Sequence, residues 1–118
     1  MRSLLITCLG LFAPALALAA LQTEQHRIDV EVIDPRTLVP LDKALILESV
    51  RKTGRLVVVH EAPLTSGFGA ELVATVNEQA FYDLEAAPQR VAGYDTPFPY
   101  ALENEYLPTV ARIMRAIR

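Results

Sequence analysis

A chain of 118 residues, 52% hydrophobic and 21% charged, has room for one domain and too much apolar material for a disordered tail. Its formal net charge of −3, with no basic stripe along the sequence, argues against nucleic acid or an anionic membrane surface as partner. One cysteine, Cys8, forbids an internal disulfide, and Cys8, His26 and His60 lack the close spacing that zinc ligands use.

The first residues fit two readings. Arg2, the apolar run from Leu4 to Leu18, and Ala15-Leu16-Ala17 or Ala17-Leu18-Ala19 have the form of a secretory signal with its cleavage site. The same residues also read as a strand, Ser3 to Leu9, a turn at Gly10 and a helix from Leu11 to His26. Pro14 then falls in the first helical turn, where its missing N–H does no harm. Ile28 to Ile33 follows as a second strand and completes a strand–helix–strand unit large enough for a parallel crossover. Cleavage near Ala19 would leave half a helix and a strand without its partner. The segment is therefore expected inside the fold, with Cys8 as a buried apolar residue and the chain in the cytoplasm.

Asp34-Pro35-Arg36 ends the second strand, because proline cannot donate to a ladder. Asp42 is a good cap for a helix from Lys43 to Lys52, with Arg51 and Lys52 at its carboxyl end and Gly54 as a left-handed stop. Arg55 to Glu61 is a third strand, and its continuous run Leu56-Val57-Val58-Val59 suits a strand covered on both faces. A helix is predicted from Phe68 to Tyr82, with Phe68, Leu72, Val76 and Ala80 on one side. Gln89 to Gly93 is a short fourth strand, Asp95 to Pro99 an extended loop, and Thr109 to Ile117 a last helix turning Val110, Ile113, Met114 and Ile117 inward. Alternation of this kind predicts an α/β fold of three layers: a mostly parallel sheet of about four strands with helices on both faces.

From Ile28 onward the residues resemble one family. The resemblance is carried by Val30-Glu31-Val32-Ile33-Asp34, by Arg36-Thr37-Leu38 with Pro40-Leu41-Asp42, and by the stretch from Glu48 to Ala62. It continues through Pro63-Leu64-Thr65-Ser66-Gly67-Phe68-Gly69-Ala70-Glu71, Leu84-Glu85-Ala86, Arg90-Val91 and Gly93-Tyr94-Asp95-Thr96-Pro97-Phe98-Pro99-Tyr100. Together these are similar to the transketolase-like carboxy-terminal domain of the beta subunit of thiamine-diphosphate-dependent 2-oxo acid dehydrogenases. The wording from His60 to Thr65 and from Gly93 to Pro99 leans towards the branched-chain enzymes. The family often has glycine where this chain has Ser66, and histidine where it has Tyr100.

The resemblance implies that residues 1–118 form a single such domain, a truncated or split subunit. The pyrimidine-binding domain and the short edge strand before Arg2 would be missing. It implies oxidative decarboxylation of a branched-chain 2-oxo acid with acyl transfer to lipoamide by the parent complex. Thiamine diphosphate and magnesium would be held by other domains, and no catalytic, cofactor-binding or metal-binding residue would lie in this chain. The implied partners are the dehydrogenase alpha subunit, the pyrimidine-binding domain and the subunit-binding domain of the acyltransferase.

His60 and Glu61 end a central strand, where open α/β sheets place ligand sites. Neighbouring strand residues point to opposite faces, so the pair is expected to organise a loop or an interface rather than to share one atom. Ser66-Gly67-Phe68-Gly69 precedes a helix and also fits an anion cradle, but it lacks a third glycine and a lysine, so a tight turn is expected. Asp95 to Tyr100 is a stiff loop bearing Phe98 and Tyr100, suited to subunit contact or to packing over its own core. Glu103 and Glu105, followed by Arg112, Arg115 and Arg118, suit electrostatic steering of a partner or a solvated surface. The interface candidates are thus His60, Glu61, Phe68, Asp95, Phe98, Tyr100, Glu103 and Glu105. A domain apart from its usual neighbour is also expected to expose apolar surface and self-associate. Two other readings stay open: a stand-alone non-catalytic binding domain or gene relic, and a small exported protein.

Overall fold

Residues 3–9 form an inner strand of the sheet. The computed structural model describes the backbone of residues 3–9 and all of residues 28–118. Strand β1 (Ser3–Leu9) pairs in parallel with β2 (Asp29–Ile33) on one side and β3 (Leu56–Pro63) on the other, and β4 (Gln89–Gly93) adds in parallel to β3. The order is β2-β1-β3-β4. Ser3 aligns with Asp29, Leu5 with Leu56, and Val57 with Gln89. The helix expected over Leu11 to His26 and the side chain of Cys8 lie outside the described residues.

Local signals place the helices. In α1 (Lys43–Thr53) the Asp42 carboxylate accepts the Leu45 N–H at 3.0 Å, and Gly54, at φ +70°, closes the other end with its N–H on the Val50 carbonyl at 2.7 Å. Helix α2 (Phe68–Ala80) stops two residues before the expected Tyr82, and Phe81–Asp83 tightens into a 3-10 turn. A second 3-10 turn, Tyr100–Leu102, and a short helix α3 (Glu103–Tyr106) occupy residues for which the sequence showed no clear period. Thr109, expected as the first helical residue, instead caps α4 (Val110–Ile117), its hydroxyl accepting the Arg112 N–H at 3.3 Å.

Strand alternation splits the β3 valines between two cores. Val57 and Val59 pack with Val91 under Ile113, Met114 and Ile117 of α4. Leu56 and Val58 pack on the opposite face with Ile46, Leu47 and Val50 of α1 and Leu72, Val76 and Ala80 of α2. Helices therefore cover both faces, as the continuous apolar run required. Burying each such side chain stabilises the fold by roughly 1.5–3 kcal/mol. A polar tie joins β2 to α1: the Glu31 carboxylate accepts from the Ser49 hydroxyl at 2.7 Å and from Lys52 Nζ at 2.6 Å.

Candidate functional site: the loops at the carboxyl end of the sheet

Strand β3 carries extra residues relative to β4. Val59 pairs with Val91, but the next pair is Pro63 with Gly93. The bulge holds His60, Glu61 and Ala62, and bulges of this kind re-aim side chains at sheet rims. His60 turns inward and is only 2% exposed, whereas Glu61 is half-buried. The two do not form an acid–base pair.

The His60 ring lies under the start of α2. A Cβ built on Gly69 would come within 2.3 Å of His60 Nε2, and one on Gly67 within 2.2 Å of the Pro63 carbonyl and 2.7 Å of His60 Cε1. Both glycines are therefore demanded by close approach. This supports the expected tight turn, and it leaves no room for an anion between the turn and the strand. Neither ring nitrogen of His60 has a hydrogen-bond partner among the described residues. Burial pushes the imidazole below its ordinary value and the nearby Arg90 charge adds to this, while the Ala62 backbone, short of hydrogen-bond geometry, opposes it.

Asp95 locks the loop after β3 to the loop after β4. Its carboxylate accepts the Thr65 hydroxyl at 2.6 Å and the Thr65 N–H at 2.8 Å. These bonds hold the Asp95 carboxyl below the usual carboxylate range, with the Arg90 charge contributing. Arg90 donates to the Leu64 carbonyl at 2.8 Å, and the Leu64 N–H reaches the Gly93 carbonyl at 3.1 Å. Ser66, between these braces, sits at φ +61°.

Aromatic rings build the rest of the ledge. Phe98 meets Tyr106 edge-on at 5.1 Å and Tyr100 at 5.3 Å, and Tyr94 meets Tyr106 at 6.2 Å. Tyr106 is buried, Phe98 half-buried, and Tyr100 is 88% exposed. Arg112 ties the ledge to α4: its guanidinium donates to the carbonyls of Ala92 (2.5 Å), Tyr106 (3.2 Å) and Leu107 (3.3 Å) and lies 4.7 Å above the Tyr94 ring.

The eight candidate residues therefore divide. His60 and Phe68, expected at an interface, face the domain's own interior: His60 fills the space over Gly69, and Phe68 packs against the core between α2 and β3. Phe98 is half-buried on the ledge, edge-on to Tyr100 and to the buried Tyr106. Glu61 is half-buried in the bulge, and Asp95, Tyr100, Glu103 and Glu105 are exposed. Thr65, Arg90, Tyr106 and Arg112 went unrecognised as partners of this ledge, because each acts across chain separations that no local pattern records.

The profile of the transketolase C-terminal domain matches residues 2–113. The chain belongs to the transketolase C-terminal domain family. This transketolase C-terminal domain is 53% identical over 100 residues to the 2-oxoisovalerate dehydrogenase subunit beta 2, mitochondrial, of Arabidopsis thaliana, an alignment covering 85% of this chain and 28% of the relative. It is 50% identical over 109 residues to the pyruvate dehydrogenase E1 component subunit beta of Leifsonia xyli, covering 92% of this chain and 32% of the relative. The domain thus spans 28–32% of the length of these curated relatives. Among solved structures, a split gene transketolase described as an inactive beta4 tetramer matches with a TM-score of 0.82 and 27% identity, over 98% of this chain and 37% of that one. Among the described residues, no helix is long and apolar enough to cross a membrane.

Proposed function

We propose that this domain is the carboxy-terminal assembly domain of a 2-oxo acid dehydrogenase beta subunit of the branched-chain type. The parent complex would perform oxidative decarboxylation of a 2-oxo acid with acyl transfer to lipoamide. The reading rests on beta-subunit relatives at 53% and 50% identity. One structural observation carries it further: the two strand-end loops are clamped together by Asp95 and Thr65 and hold Tyr100 outward on a stiff ledge. A rigid aromatic group gives up little conformational entropy on docking, so such a ledge suits a permanent subunit contact.

Thiamine diphosphate and magnesium belong, in this reading, to the neighbouring domains. The described side chains do not fit the pair: they form no cluster able to hold a metal ion, and the turn before α2 is filled by His60 and the Pro63 carbonyl. The domain's own contribution is therefore positional. Its partners would be the alpha subunit, the beta-subunit pyrimidine-binding domain and the acyltransferase's subunit-binding domain, with exposed Glu103 and Glu105 available for steering.

Co-expression of the chain with an alpha subunit and a separate pyrimidine-binding domain tests the proposal. The expected result is a complex that survives size exclusion and is weakened by Tyr100→Asp. Failure of the chain to co-purify with either component overturns it.

A further inference from the structure

His60 is sealed from solvent, and neither of its ring nitrogens has a hydrogen-bond partner among the described residues. Its two sides differ in strength. Below it on β3, Val57, Val58 and Val59 are buried in the two cores. Above it, Gly67 and Gly69 lie against the ring at the end of a surface turn. Residues 62–66 of that turn are all exposed, and Ser66 holds a left-handed backbone, φ +61°. We propose that His60 is a proton latch: when the sealed ring takes up a proton, this turn lifts off β3 and frees the ledge loop from the Asp95–Thr65 clamp.

The closed joint has no place for a charged ring. A neutral imidazole carries one N–H, whereas the protonated ring carries two and a full charge. A buried charge without a partner is costly. From β4, Arg90 adds a like charge. From α2, the positive end of the helix dipole lies over the ring, and the first-turn carboxylate, Glu71, is exposed to solvent. On β3, Glu61 is half-buried in the bulge and accepts nothing from the ring. After β4, Asp95 is taken by both Thr65 donors, and from α3 the Tyr106 hydroxyl lies against Gly93. The Ala62 backbone favours the charged form but stops short of hydrogen-bond geometry.

The turn is the part that can give way. The ring has no exit of its own while Gly67 and Gly69 press on it. The turn is held by the Leu64 N–H on the Gly93 carbonyl, by Arg90 on the Leu64 carbonyl and by Thr65 on Asp95. All these ties are near the surface and can be exchanged for water. Opening an exposed turn costs less than unfolding the strands beneath it. Each tie runs to β4 or to the loop after it, so lifting the turn also releases the loop that bears Phe98 and Tyr100. The Leu64 carbonyl that anchors the Arg90 guanidinium moves away with the turn. Repulsion of the ring then falls, so protonation and opening favour each other.

The latch belongs to the chain by itself. Its consequence for a subunit contact rests on the assembly reading given above. A loosened ledge loses the preorganisation that such a contact uses, so mild acid would weaken the contact.

Amide hydrogen exchange of the full chain, corrected for the intrinsic effect of pH, tests the latch. A solvated imidazole titrates at its ordinary 6.5. Between about pH 7.5 and about pH 5.5, opening should therefore grow by up to about tenfold. The Leu64 and Thr65 amides should lose that much protection while the Val58 and Val59 amides keep theirs. His60→Leu should abolish the loss at the two turn amides. Asp95 titrates below 3.8, outside this window. Should the leucine chain fold poorly, the titration of the His60 ring in the parent chain decides, followed through its carbon-bound protons by NMR. Its midpoint should coincide with that of the turn's opening. Four outcomes each overturn the proposal: turn protection that is unchanged at the lower pH, an equal loss in His60→Leu, a ring midpoint that differs from the turn's, or loss of protection throughout β3. No partner enters the experiment, so its failure leaves the assembly reading standing.

Discussion

The imidazole of His60 occupies the space that any side chain at residue 69 would need: a Cβ on Gly69 falls 2.3 Å from His60 Nε2 and 3.3 Å from Val58 Cγ1. The histidine is buried at the joint of β3 and α2 and cannot swing into solvent. Gly69→Ala is therefore expected to destabilise the domain by about 2–3 kcal/mol, the scale of overpacking in a closed core. Urea unfolding checks this, with a lowered midpoint and an unchanged slope as the expected signature.

The same burial makes stability depend on pH. The folded-state pKa of His60 is held below its ordinary 6.5, first by burial and then by Arg90. The unfolded chain thus binds the proton more readily. Stability is full above pH 6.5 and falls as the pH drops below it, at no more than about 1.4 kcal/mol per pH unit, until the folded-state value is passed. His60→Leu, which cannot titrate, should flatten the profile between pH 7 and pH 5. Asp95 and Glu31 act in a lower window. Thr65 hydrogen bonds hold the first below 3.8, and hydrogen bonds from Lys52 and Ser49 hold the second below 4.5, so their stabilisation is present above those values and lost beneath them.

Ser66 holds a left-handed backbone, φ +61°, that costs a residue with a side chain about 1–2 kcal/mol. Glycine relieves this strain but adds freedom to the unfolded chain worth about 0.4–1 kcal/mol. Ser66→Gly should leave a net stabilisation of about 0.5 kcal/mol, read as a small rise in melting temperature. In sequence, Ser66 stands where the family often has glycine. The dihedral angle shows that serine strains this turn.

Asp95→Asn keeps the shape of the clamp and removes its charge. An amide keeps both contacts only by accepting the Thr65 N–H and donating to the Thr65 hydroxyl, and neither bond is then charge-assisted, so the loops after β3 and β4 should part more often. Faster hydrogen exchange at the Thr65 and Leu64 amides, with the core amides of β3 unchanged, is the expected reading.

Exposed apolar groups set the behaviour of the chain in solution. Tyr82 is 98% exposed and Val39 and Tyr100 are 88% exposed. Sedimentation should show association that grows with concentration, and Tyr100→Ser should reduce it if the ledge is the contact. A monomer at every concentration would argue that these groups stay solvated.

Much of the framework follows from short-range chemistry. Asp42 and Gly54 mark the ends of α1 because capping and left-handed turns are properties of single residues. The run Leu56-Val57-Val58-Val59 marks a strand covered on both faces because side chains alternate along it. The end of α2, the helix α3 and the bulge after Val59 were not legible, since each depends on what a distant segment offers.

Residue order by itself determined the layers of this protein, through apolar runs, caps and glycines that act within a few neighbours. Only the tertiary structure decided that Asp95 would hold Thr65, that His60 would lie sealed over Gly69, and that Arg112 would reach the Ala92 carbonyl. The physical reason is register. A parallel strand pair is joined through a long crossover, so which residues face each other is settled by packing across the whole sheet and not by any contact a short stretch can make alone.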